Sequence, residues 1–208
     1  MEKSDVFRQT YENYLKKISE IDFERIAPII GAKKGEGGVV ISYLDREYTV
    51  GPGGVTDDRG KTAFFPVSVV LLKYVLMAPA ARPIPNDQWM NFRDFPDAGP
   101  LVTYFGSNVI QVLERGFEGR VNILRQRCLA IGAKNSPFAS SFDLSVTIPV
   151  LPNVTVILNF NDRDDEFPAA ANLLFDRTVA LCLDMESVAI VGVAIAEAIL
   201  EERVRGQG

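Results

Sequence analysis

Apolar positions near the start of the chain return with a helical rhythm. Val6, Tyr11, Tyr14, Leu15 and Ile18 fall near one side of a 3.6-residue turn, which predicts an amphipathic helix over residues 6–19. Residues 21–30 continue as a second short helix interrupted by Pro28, and the Gly- and Lys-bearing stretch 31–38 reads as the loop that ends it. The period then shortens to two. Residues 39–43 and 46–50 predict a hairpin around Leu44-Asp45, with Gly51-Pro52-Gly53-Gly54 closing its second strand. Pro66 suits the first turn of a helix over 66–78 whose body is apolar on nearly every side, as in a helix buried within a domain. The connection 79–100 holds five prolines, and in it Trp89, Asn91 and Arg93 alternate with Met90, Phe92 and Asp94 as in a short strand.

Two helices are expected over 107–115 and 120–131, separated by Gly116 and Gly119, with Gly132 stopping the second. The clearest strand signal follows. Phe142, Leu144, Val146, Ile148 and Val150 share one face against Asp143, Ser145 and Thr147, and residues 154–160 return antiparallel after Pro152-Asn153. A short apolar run at 173–175 precedes a last helix over 185–203, with Asp184 as its cap and Glu186 in its positive first turn. Hairpins and helices that do not alternate one for one give an α+β fold. The expectation is one domain over 1–208, a mostly antiparallel sheet packed against several helices, with buried helices near 66–78 and 185–203.

Composition narrows the chemistry. A chain of 208 residues that is 47% hydrophobic can sustain one sizeable core. Its net charge of −5, without a basic patch interleaved with aromatics, excludes nucleic acid as a partner. The longest apolar runs, 67–72 and 188–196, fall short of the ~20 residues that span a bilayer, so no membrane partner is expected. Only Cys128 and Cys182 occur, far apart and among apolar neighbours. They read as core filler in a reducing, cytoplasmic compartment. The chain contains no histidine, which removes His-based triads and His-ligated zinc or haem, and it carries no iron–sulfur, zinc or haem ligand set. Any chemistry rests on carboxylates, Lys, Tyr, backbone amides or a borrowed cofactor.

One segment is chemically unusual. Residues 159–168 leave a strong strand with Asp162, Asp164, Asp165 and Glu166 in close succession, flanked by Phe160 and Phe167 and followed by Asp176, Asp184 and Glu186. Hard cations take several carboxylate oxygens, so Asp162, Asp164 and Glu166 could share Mg²⁺ or Ca²⁺, although the spacing is not that of an EF-hand. Crowded like charges could alternatively keep one carboxyl protonated as a general acid. The plain reading is a solvated turn pinned to the core by Phe160 and Phe167. Residues 51–54 lack the spacing of a phosphate loop and read as a strand-ending turn. Trp89 with Phe92, Phe95, Tyr104 and Phe105 reads either as core or as the lining of a pocket for a planar molecule.

The segments Asp164-Asp165-Glu166-Phe167-Pro168-Ala169, Leu173-Leu174-Phe175-Asp176 and Leu183-Asp184-Met185-Glu186-Ser187, running on to Gly192, together resemble a bacterial and archaeal family of unknown function found mainly in anaerobes. Tyr43-Leu44-Asp45-Arg46-Glu47-Tyr48, Leu71-Leu72-Lys73-Tyr74-Val75-Leu76, Trp89 with Phe92-Arg93, and Ile148-Pro149-Val150-Leu151-Pro152 are similar to its milder signatures. Where the family commonly has Gly-Gly after its central helix, this chain has Gly132-Ala133. Some relatives carry the domain beside a four-cysteine iron–sulfur module of the corrinoid-protein type. The resemblance thus implies an accessory role in anaerobic cofactor or one-carbon metabolism, with an iron–sulfur or corrinoid protein as partner.

Three functions remain open at this point. The first is a non-catalytic binding or accessory module. The second is a divalent-cation-dependent enzyme in which the acidic loop holds the metal and a bound water attacks. The third is a homo-oligomeric structural protein sharing an apolar helix face.

Overall fold

The helical rhythm at the N-terminal end becomes α1 (Lys3–Ile18) and α2 (Phe23–Ile30) in the computed structural model, which describes residues 3–201. Asp22 turns the chain between them, its carboxylate accepting from the Arg25 amide at 3.1 Å. Gly31, at φ 69°, ends α2 in the left-handed conformation that glycine adopts without strain. Pro28 does not interrupt this helix as expected. It lies on the exposed side within it, where its ring and missing donor meet solvent.

The stretch 31–57 folds into an antiparallel four-stranded meander of β1 (Lys33–Gly35), β2 (Gly38–Tyr43), β3 (Arg46–Gly51) and β4 (Gly54–Asp57), in that spatial order. The two inner strands match the expected hairpin. β1 falls within the expected loop, and β4 starts at the last residue of the expected closing turn, because Lys and Gly give little strand signal of their own. Pairing with a neighbour supplies it, and Lys33 and Lys34 make β1 a charged edge. Next comes α3 (Phe65–Leu76), with Pro66 in its first turn and Val70, Leu71, Leu72, Tyr74 and Val75 buried.

A second antiparallel sheet is built from β5 (Trp89–Asn91), β6 (Lys134–Asn135), β7 (Leu144–Leu151), β8 (Val154–Asn161) and β9 (Ala170–Asp176), in the order β5-β9-β8-β7-β6. Between β5 and β6 the chain runs through α4 (Val102–Phe105), a π-helical turn (Gly106–Ile110), α5 (Gln111–Phe117) and α6 (Val121–Ala130). The helical run therefore starts before residue 107, since Gly106 is carried through a widened turn without breaking it. The chain closes on α7 (Met185–Leu200). Glu201 leaves helical geometry with ψ 131°, so α7 stops short of the expected 203, and Arg203 itself lies outside the described residues.

One core cluster joins both sheets to the helices, from Ile18 through Ile41, Val70 and Leu158 to Ile199. Leu144, Val146 and Ile148 pair with Phe160, Leu158 and Val156 to form its β face. On the opposite face Ser145, expected in solvent, is buried in a hydrogen-bonded row. Its hydroxyl meets Ser136 and Asn159, and Asn159 Nδ2 donates to Asn172 Oδ1 at 3.1 Å. α7 runs through the middle of the core, and Gly192 lets it approach α4, since a Cβ there would strike the Phe105 ring. The fold is α+β, as the sequence predicts. Among the described residues no helix is long and apolar enough to cross a membrane.

Candidate ligand groove

Two carboxylates of the acidic segment, Asp162 and Asp164, are taken up by backbone amides. Asp162 accepts from the Gly119 amide at 2.6 Å and the Val121 amide at 3.3 Å, so it anchors the start of α6. Asp164 accepts from the amides of Glu166 (2.8 Å) and Phe167 (2.7 Å), while its own amide donates to the Phe167 carbonyl at 3.0 Å. Those two amides hold its carboxyl below the ordinary carboxylate range. Asp165 and Glu166 are exposed on this turn. Phe160 is buried as expected, but the tight turn throws Phe167 outward to 66% exposure, so Phe167 does not pin the loop to the core. Among the described residues no three Asp, Glu or Cys side chains gather where they could hold one metal ion.

The other sequence candidates sit apart from that turn. Asp176, almost fully buried, accepts from the amides of Asn86 (3.2 Å) and Asp87 (3.0 Å) and from the amide and hydroxyl of Thr178 (2.9 and 2.6 Å). It ties the connection before β5 to the end of β9. Glu186 is exposed in the first turn of α7. Trp89 is half-buried beside a separate cleft of about 600 Å³ with Phe95, Arg177 and Leu181. The expected aromatic group divides: Phe92 and Phe105 stack in the core at 4.3 Å, and Tyr104 faces solvent.

Asp184 caps α7 by accepting from the Ser187 amide at 2.9 Å, and its other oxygen pairs with Lys73 Nζ from α3. Lys73 also lies 5.5 Å from the centre of the Tyr14 ring. Burial by itself would lower the Lys73 pKa. The hydrogen bond and charge of Asp184, with Tyr14, outweigh it and raise the amine above its ordinary 10.5. Burial likewise works to raise Asp184, but Lys73 and Ser187 outweigh it and hold the carboxyl below 3.8. The pair bolts the two buried helices together.

A groove of about 660 Å³ lies between the β2–β3 hairpin, the start of α3 and the last turns of α7. Register explains its hairpin wall. Tyr43 and Arg46 are direct cross-strand partners, and Ile41 pairs with Tyr48, so Tyr43, Arg46 and Tyr48 share one face. Helical spacing explains the opposite wall: Ala194, Glu197 and Ala198 form one stripe along α7, with Glu201 just past its end, and the two alanines leave the space. Phe64, 73% exposed, forms an apolar rim.

Two features mark this groove. Tyr43 is 3% exposed, yet its hydroxyl has no hydrogen-bond partner. Burial, with the charges of Tyr48 and Glu197, pushes the phenol well above its ordinary 10.0, so it remains a proton donor. Beside it, Leu44 stands in the hairpin turn at φ 55°, a conformation that costs a branched side chain about 1–2 kcal/mol. Its amide donates to the Val150 carbonyl at 2.8 Å, which ties the hairpin tip to β7. Reasoning from acidic clusters does not lead to this groove. The available signal was a two-residue turn that places Leu where Asn or Gly is usual.

Fold and groove together define an α+β domain of two antiparallel sheets around buried helices, with a side-chain-lined groove at one helix end. The chain belongs to the family described as a domain of unknown function (DUF3786), whose model matches residues 22–198. No curated protein and no solved structure matches it.

Proposed function

We propose that this domain is a non-catalytic binding module and that its ligand occupies the groove between the β2–β3 hairpin and α7. The observation that carries this reading is Tyr43, a buried phenol donor with nothing to donate to in a wall of that groove. An unmet buried polar group costs about 1–3 kcal/mol, and a bound acceptor recovers it. Three of the candidate carboxylates are used in caps and turns: Asp162 and Asp184 at helix starts, Asp176 at the end of β9. The sequence resemblance supports a place in anaerobic cofactor or one-carbon metabolism, beside an iron–sulfur or corrinoid protein.

Thermal melting of anaerobically purified protein against a panel of amino acids, nucleotides and corrinoids tests the reading, with Tyr43→Phe alongside. A ligand at 100 times its dissociation constant stabilises the wild type by about 2.7 kcal/mol. The shift should be much reduced in Tyr43→Phe. Turnover of a panel compound, abolished by Asp165→Asn, would replace the binding module with an enzyme.

A further inference from the structure

We propose that the groove binds a small zwitterion with an apolar side chain, a free amino acid or short peptide, through Tyr43, Arg46 and Glu197. This rests on the reading of the groove as a ligand site and specifies what enters it. Three polar residues line it from two walls. The Tyr43 hydroxyl has no partner, and Arg46 and Glu197 are exposed where they line the groove. Arg46 stands directly across the strand pair from Tyr43, so a donor and a cation lie side by side on the hairpin wall. Glu197 supplies an anion from the α7 wall.

A ligand carboxylate can accept from the phenol and from the guanidinium together, and the guanidinium fork matches carboxylate geometry. An ammonium one carbon away then meets Glu197. The remaining surface of Val67, Ala194, Ala198 and Leu200, with the Phe64 rim, is apolar and accepts a hydrocarbon side chain. A ligand bearing a single charge leaves either Arg46 or Glu197 unmatched. A purely apolar one leaves the phenol unmet.

Calorimetric titration of the full chain with leucine, leucine amide and N-acetyl-leucine separates these cases, using wild type, Tyr43→Phe, Arg46→Gln and Glu197→Gln. The amide keeps only the positive charge and the acetyl compound only the negative one. Leucine is expected to bind about tenfold tighter than either analogue, the size of one charge-assisted contact. Arg46→Gln should erase the gap between leucine and its amide, and Glu197→Gln the gap to the acetyl compound. Arg46 and Glu197 are exposed, so these variants keep the fold. An analogue that binds as tightly as leucine, still dependent on Tyr43, overturns the zwitterion and leaves the groove as the site. If none of the three binds, the zwitterion also falls. If in addition no panel compound gives a Tyr43-dependent shift, the binding module falls with it.

Discussion

Tyr43 and Tyr74 are the same side chain at nearly the same burial, 3% and 1% exposed, and they differ in what their hydroxyls do. Tyr74, on α3, donates to the Ile30 carbonyl at 2.7 Å and accepts from the Asn153 amide at 3.2 Å. Asn153 in turn reaches the Ile29 carbonyl at 2.8 Å, so one phenol ties the end of α2 to the turn between β7 and β8. Tyr43 has the burial without the partners. The contrast teaches that burial of a polar side chain does not mark a site. Unused bonding capacity beside an open groove does.

The largest effect that sharpens this contrast belongs to a carboxylate that accepts four hydrogen bonds. Asp176→Ala leaves the Asn86, Asp87 and Thr178 amides without their acceptor, and urea denaturation should show a loss of about 2–4 kcal/mol. Tyr74→Phe comes next. It orphans one carbonyl and one amide, for a loss of about 1–3 kcal/mol by the same measurement. If Tyr74→Phe proved as harmless as the matching change at Tyr43, the distinction between a bonded and an unbonded phenol would collapse.

The ion pair between α3 and α7 gives a smaller, pH-dependent effect. Asp184→Asn keeps a capping side chain and removes only the charge facing Lys73, so at neutral pH it should cost about 1 kcal/mol, the modest value expected of a partly exposed pair. The carboxyl pKa of Asp184 is lowered in the folded state, so its contribution is present above the ordinary 3.8 and is lost as pH falls through the folded value. Lys73 is raised, so its contribution is full below 10.5 and is lost as pH rises through the folded value. The stability gap between wild type and Asp184→Asn should therefore hold across neutral pH and close below about pH 4. A gap that persisted unchanged at pH 3 would show that the charge on Asp184 contributes nothing.

Much of the fold was legible because its signals are local. The alternation at 142–150 and the all-round apolar bodies at 66–78 and 185–203 each predict an element without knowledge of the rest, though the strand starts at 144 and the last helix stops at 200. What was missed depends on neighbours. β1 and β4 are strands because β2 and β3 offer them edges, and Ser145 is buried because Ser136 and Asn159 meet it there. The candidate groove was illegible for the same reason. A run such as Asp162 to Glu166 is conspicuous in one dimension, yet Asp162 and Asp164 accept from backbone amides and Asp165 and Glu166 face solvent. The groove gathers Arg46 and Glu197 from distant parts of the chain, and only register and helical spacing bring them to facing walls.

The smallest expected stability effect is also the most discriminating. Tyr43→Phe removes a hydroxyl that bonds to nothing and keeps the ring that packs edge-on against Tyr48 at 6.4 Å. Ligand-free stability should stay within about 0.5 kcal/mol of wild type, or rise, because deleting an unmet buried polar atom removes its desolvation penalty. A ligand that needs the phenol should bind more weakly to the same variant. Stability and affinity then move apart, which is the behaviour of a group retained for recognition. A loss of stability as large as that of Tyr74→Phe would mean that the Tyr43 hydroxyl already has its partner within the fold, and the groove would lose the feature that singles it out.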